Sequence, residues 1–258
     1  MPVPYLPQGP EIEIFRHAWK SRLPLMVKGP TGCGKTRFIQ HMAETLERPM
    51  VTVACNEDTS ATDLLGRHLL VDGDTRWVDG PVTRAVREGA LLYLDEIAEA
   101  RADAIVVIHS LSDHRRELFL DRTGETLKAP DAFMLIVSYN PGYQRSMREM
   151  KPSTRQRFVA RRFDFPEPEL EVEVLQGESG IDAALARKLV MLATALRALK
   201  DHDLEEAAST RLLVYAATLI HGGYDPLDAC RAALVEPLTD DEETAAALME
   251  VVYASFGT

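Results

Sequence analysis

Gly29-Pro30-Thr31-Gly32-Cys33-Gly34-Lys35-Thr36 decides the reading of this chain. The stretch keeps the spacing G-x-x-x-x-G-K-[ST], that of a loop whose backbone N–H groups cradle phosphate. Its surroundings agree. Leu23 to Lys28 is a short apolar run that reads as a buried strand. Thr36 to Leu46 carries Phe38, Ile39, Met42, Ala43 and Leu46 at helical spacing. The motif therefore falls where a strand ends and a helix begins. Glycines let the backbone curl so that its amides point inward, and the helix N-terminus adds partial positive charge. Lys35 is placed to reach the β- and γ-phosphates, and the Thr36 hydroxyl to ligate Mg²⁺.

A second signal lies downstream. Gly89-Ala90-Leu91-Leu92-Tyr93-Leu94-Asp95-Glu96 is a continuous apolar strand ending in two acids, the pattern of a buried parallel strand. In open α/β sheets, function gathers at the carboxyl ends of strands. Asp95 there would hold the hydration shell of a Mg²⁺ ion, and Glu96 would polarise an attacking water. Phe133 to Ser138 is another buried strand, and Asn140 follows it within reach of a γ-phosphate or the water. Arg155, Arg157, Arg161 and Arg162 form a basic cluster. One of them, Arg157 by preference and Arg155 in reserve, is the candidate arginine finger. Arg211 begins a helix near the C-terminus and is a candidate reporter of nucleotide state.

Composition sets the bounds. With 258 residues, 46% of them hydrophobic, the chain can bury a sizeable core. A net charge of -11 gives no general counterion-release affinity for DNA or RNA, which argues against a nucleic-acid partner. The 3 cysteines, Cys33, Cys55 and Cys230, form no disulfide framework and suit a reducing cytoplasm. Cys33 occupies an unspecified position of the loop and reads as a small filler. No metal-ligand spacing joins the cysteines to the 7 histidines. No apolar run reaches the roughly 18 residues of a membrane-spanning helix. The proline-rich first ten residues lack the basic start of a signal peptide.

The remaining elements are expected as follows. Residues 1–10 form an extended arm, Glu11 to Lys20 a helix and Met50 to Ala54 a strand. Arg67 to Val71 and Thr75 to Val78 form a hairpin carrying Trp77, and Glu117 to Leu120 pairs with Glu125 to Lys128. Ser153 to Ala160 is a short helix and Arg162 to Phe165 the last strand. Beyond Pro166 and Pro168 only helical patterns follow: Ile181 to Leu199, Ser209 to His221, Pro226 to Leu234 and Asp240 to Tyr253. The organisation is an α/β domain over 1–165 with a parallel-sheet core, followed by a small all-α lid domain over 166–258.

These motifs, in this order, resemble AAA+ P-loop ATPases of the MoxR type, and within them the CbbQ/NorQ subgroup. The matching stretches are Lys28 to Phe38, Thr52 to Cys55, Asp79-Gly80-Pro81, Tyr93 to Glu96, Ser138 to Gln144 and Lys151 to Phe158. Ser209-Thr210-Arg211 adds a weaker match in the helical part. The resemblance places Arg37 with the nucleotide-binding residues of the loop. It implies ATP and Mg²⁺ as cofactors and a homohexameric ring. It makes Asn140 the first sensor, Arg157 the finger and Arg211 the second sensor. It further implies a partner with a von Willebrand factor A domain, CbbO- or NorD-like, and a client enzyme to be remodelled. Inhibited Rubisco is the preferred client and nitric oxide reductase the alternative. A switch that binds nucleotide without obligatory turnover is the rival of a different class.

Overall fold

A computed structural model describes residues 3–141, 150–199, 204 and 206–257. Gly142, Tyr143 and Gln144, from one of the stretches that carry the resemblance, lie outside the described residues. The chain forms two compact units: Met1–Gly29 with Lys35–Phe163, and Pro30–Gly34 with Asp164–Thr258.

In the first unit, α1 (Glu11–Lys20) precedes β1 (Leu25–Lys28), α2 (Lys35–Thr45) and β2 (Met50–Ala54). Then come α3 (Ala61–Leu65), the ribbon β3 (Gly66–Val71) and β4 (Asp74–Asp79), α4 (Pro81–Glu88) and β5 (Leu91–Asp95). α5 (Ala102–Val107), the ribbon β6 (Glu117–Leu120) and β7 (Glu125–Lys128), β8 (Met134–Tyr139), α6 (Pro152–Arg155) and β9 (Val159–Arg162) complete it. Five strands make one sheet in the order β2-β5-β8-β1-β9. Every neighbouring pair in it is parallel. β8 and residues Leu91 to Leu94 of β5 are buried on both faces, which is why they read as unbroken apolar runs.

β8 lies between β1 and β5, with Val27 opposite Ser138 and Leu94 opposite Val137. The ends of these three central strands therefore deliver Gly29, Asp95 and Asn140 to one rim of the sheet. On one face, Phe38 of α2 packs edge-on against Phe15 of α1 and tilted against Phe163 just after β9. The N-terminal arm lies along α2. Tyr5 stacks on Phe38 and His41, the Val3 amide donates to Glu44, and Arg37 Nε donates to the Pro4 carbonyl at 3.0 Å.

The two antiparallel ribbons project apolar side chains into solvent, with Leu70 76% and Phe119 55% exposed. Trp77 on β4 is half-buried, packs against the core and donates to Asp79. Arg87 of α4 joins the ribbons' bases: Nε meets Asp79 at 2.8 Å and the two terminal nitrogens meet the Glu125 carboxylate at 2.9 and 2.5 Å.

Two boundaries differ from the sequence expectation. The last strand is Val159–Arg162, not Arg162 to Phe165, and the helix before it ends at Arg155 rather than continuing to Ala160. β9 is an edge strand, paired on one side only, and its side chains, pointing alternately to the two faces, are half-buried and exposed in turn, so two arginines fit within it. That composition hides the strand from an apolar-pattern reading. Phe163 is buried but lies one residue beyond the strand.

The second unit is helical: α7 (Pro168–Ser179), α8 (Ala183–Ala198), α9 (Thr210–His221), α10 (Pro226–Cys230) and α11 (Glu242–Phe256). Residues expected to continue α10 through Leu234 instead form one π-helical turn, Arg231–Val235. Its core runs from Leu175 through Leu189, Leu192 and Leu196 to Leu213, Leu234 and Val252. At its centre the fully buried Glu171 receives both terminal nitrogens of Arg197, at 2.8 and 2.7 Å, and the Thr210 hydroxyl at 2.5 Å. Arg197 also donates to the Ala208 carbonyl and lies over the Phe165 ring. The buried carboxylate thus has a charge partner and a neutral donor.

Candidate functional site

The loop after β1 starts with a close approach. A Cβ on Gly29 would stand 2.3 Å from the Phe163 carbonyl oxygen, so only glycine fits where the end of β9 crosses. Gly32 adopts φ +70°, a left-handed value, and a Cβ there would meet Ser209 at 2.6 Å within the second unit. Gly34, at φ +95°, has open space where its Cβ would be. Cys33 is buried, in keeping with a filler role. Pro30 and Thr31 complete the loop; Thr31 Oγ1 lies 3.5 Å from the Glu206 carboxylate. Lys35 opens α2, largely buried, and its Nζ donates to the Gly29 carbonyl at 2.8 Å. The ammonium is thereby folded back over the loop's own backbone. Arg37, assigned by resemblance to nucleotide, is engaged with the arm at Pro4.

The side chains of Thr36, Tyr93 and Ser138 connect this loop to Asp95 at the end of β5 and to the backbone of Glu96 beyond it. Thr36 Oγ1 lies 3.3 Å from the Tyr93 hydroxyl, and that hydroxyl donates to Asp95 Oδ1 at 2.6 Å. Ser138 of β8 donates to the same Oδ1 at 2.5 Å. The Glu96 amide donates to Ser138 Oγ at 2.7 Å. Tyr93 is fully buried. Burial, then the Asp95 charge and the bond to it, push its hydroxyl well above the usual phenol range, so it stays a proton donor. Cys55, at the end of β2, is raised to about 12 by burial and by the negative charges of Asp95 and Glu96.

Glu96 is exposed and holds φ 53°, uncommon for a side-chain-bearing residue. The bend turns the chain out of β5 into a short 3₁₀ turn, Ile97–Glu99, and leaves the carboxylate at the rim. Asn140, half-buried, follows β8 on the same rim. Tyr93 and Ser138 were missed as site residues from sequence. Their signal is a hydroxyl set among the apolar side chains of each of two buried strands.

Arg157 is placed differently. Its Nη1 donates to the His109 carbonyl at 3.2 Å and lies 3.5 Å from Asp113. His109 Nε2 lies 3.1 Å from Thr154 Oγ1 of α6. Burial first, then the Arg157 and Lys151 charges, lower the His109 pKa. Arg155 is exposed on α6. Arg211, in the first turn of α9, is exposed too, while its neighbour Thr210 is anchored on Glu171. A Gly32 Cβ would stand 3.3 Å from the Arg211 Cβ.

The donor set fits a magnesium nucleotide. A hydroxyl and a carboxylate are hard oxygen ligands, and Mg²⁺ is usually held by one or two protein groups plus phosphate oxygens and water. Among the described residues no group of three or more His, Cys, Asp or Glu side chains is arranged to hold a metal by itself.

Residues 24–158 match the AAA domain of the dynein-related subfamily, and residues 171–255 match the CbbQ/NirQ/NorQ C-terminal domain. The chain belongs to the CbbQ/NirQ/NorQ family of MoxR-type AAA+ ATPases. Family members similar to it include the denitrification regulatory protein NirQ of Pseudomonas aeruginosa, 61% identical over 96% of this chain and 95% of that protein. NorQ of Paracoccus denitrificans is 57% identical over 98% and 94%, and CbbQ of Hydrogenophilus thermoluteolus 54% identical over 96% and 93%. A RuvB mutant from Thermotoga maritima shares the AAA+ fold, with a TM-score of 0.54 at 15% identity over 93% of this chain and 68% of that one. Like the sequence, the CbbQ/NirQ/NorQ fold here offers no helix, among the described residues, long and apolar enough to cross a membrane.

Proposed function

We propose that this protein is an ATP-hydrolysing ring motor that remodels a client enzyme together with a von Willebrand factor A domain partner. The observation that carries the reading is the continuous chain of contacts from Thr36 through Tyr93 to Asp95, Ser138 and the Glu96 amide. It joins the phosphate loop to the Asp95 carboxylate and to the Glu96 backbone at one rim. When bound, Mg²⁺ neutralises charge on the β- and γ-phosphates. Thr36 and Asp95 are the residues that would hold it. The amides of residues 29–36 and the Lys35 ammonium grip the phosphates. Glu96 accepts a proton from the attacking water, and Asn140 orients that water. Arg157 completes the site of a neighbouring subunit, and Arg211 relates the nucleotide to the helical part. Use of Arg157 in trans requires an assembly of subunits, and the resemblance to MoxR-type ATPases implies that this assembly is a homohexamer.

The client is a separate question. Identity of 61% and 57% to NirQ and NorQ, against 54% to CbbQ, favours denitrification, with nitric oxide reductase as the client. The CbbQ likeness supports inhibited Rubisco as the second reading.

The test is phosphate release by the purified protein with Mg²⁺ and ATP, alone and with the partner. Turnover that rises with the partner and with one of the two clients is expected. Retention of ATP with client activation by a non-hydrolysable analogue would replace the motor by a binding switch.

A further inference from the structure

The geometry points to Tyr93 as a positioning residue that couples the phosphate-loop hydroxyl of Thr36 to the carboxylate of Asp95, and so sets the protein's affinity for the divalent cation. The inference rests on the nucleotide site proposed above. Proton accounting carries it. A carboxylate only accepts, so the one Tyr93 proton goes to Asp95 Oδ1, 2.6 Å away. In the 3.3 Å contact with Thr36, the tyrosine oxygen must then accept and Thr36 must donate. A hydroxyl that gives its proton to Tyr93 keeps its lone pairs for a cation.

The same logic runs on the other side. Ser138 accepts from the Glu96 amide and gives its proton to Oδ1. Two donors on one carboxylate oxygen fix the plane of the carboxylate. The hydroxyl is buried with its ring, so water does not replace it when it is removed.

The experiment uses the full chain and a fluorescent ATP analogue, titrated in EDTA and then with Mg²⁺ or Mn²⁺. Tyr93→Phe removes one oxygen and keeps the ring. Its affinity for the analogue in EDTA is expected to stay within about twofold of wild type, while the cation concentration at half-saturation rises about tenfold, as for loss of a hydrogen bond to a charged group. Tyr93→Leu, matching the leucines around it, repeats the measurement should the phenylalanine variant not fold. Unchanged cation half-saturation overturns the inference. So does an equal loss of affinity in EDTA and in Mg²⁺, which marks a general packing defect. A wild-type protein that binds no nucleotide overturns the proposed site and this inference together. Wild-type cation-dependent binding with an unaltered Tyr93→Phe overturns this inference alone.

Discussion

The Glu96 amide donates to the Ser138 hydroxyl at 2.7 Å, and this bond spans two neighbouring strands. It holds Glu96 in its left-handed bend and leaves the carboxylate outside the buried network. The side chain is therefore replaceable without disturbing Asp95. Glu96→Gln is expected to retain ATP with near-normal affinity and to lose hydrolysis by about 10²-fold or more, as for removal of a general base. Equilibrium binding and steady-state phosphate release check this; unchanged hydrolysis would remove Glu96 from its assigned role. Lys35→Ala, by contrast, is expected to lose binding.

Within the chain, Arg157 is held by Asp113 and the His109 carbonyl. The ion pair is partly exposed and such pairs are worth only about 0–1 kcal/mol, so the proposed reach to a neighbouring subunit would cost little. Arg157→Ala is expected to lower turnover by about 10³-fold or more while sparing ATP binding. Mixing these subunits with Lys35→Ala subunits should restore part of the activity. Mixed rings that form yet recover nothing would argue against action in trans.

The Glu171–Arg197 pair in the helical part is buried, with Arg197 16% and Glu171 0% exposed. Glu171→Ala would leave a guanidinium without its counter-charge and Thr210 without its acceptor. A loss of about 3–5 kcal/mol is expected for breaking such a pair from one side. Denaturant unfolding measures it, and a loss under about 1 kcal/mol would show that water relieves the stranded charge. Because Thr210 adjoins Arg211, the same variant should blur any nucleotide response that passes through Arg211.

Cys55 and Cys230 are both raised to about 12 from an ordinary 9.0, chiefly by burial. A raised thiol keeps its proton in the folded state after the unfolded chain has lost it. Their contribution is full below pH 9 and falls as pH rises toward 12, by about 1.4 kcal/mol per pH unit for each thiol. Stability measured from pH 8 to 11 should decline accordingly. Cys55→Ser should remove about half of the slope between pH 9 and 10, below the range where Tyr93 adds its own, and an unchanged slope there would contradict the assignment.

The phosphate loop, the paired acids and the central strands were legible because glycine spacing, a terminal lysine and unbroken apolar runs each have one dominant physical cause. β9 was displaced because it pairs on one side and tolerates Arg161 and Arg162, which mask the pattern. The π turn over Arg231–Val235 keeps apolar residues at nearly helical spacing, so periodicity alone does not reveal it. Tyr93 and Ser138 were readable as residues but not as partners. Their meaning depends on the register that sets Leu94 beside Val137, a long-range pairing invisible in local sequence.

Arg87 has a mechanical corollary. One guanidinium clips Asp79 at the foot of the first ribbon and Glu125 at the foot of the second. Arg87 thereby gives the ribbon of Leu70 and the ribbon of Phe119 a direct side-chain link outside the sheet. The link is partly solvated and such pairs are worth about 0–1 kcal/mol each, so it ties the two projections together weakly compared with the packed core beneath them.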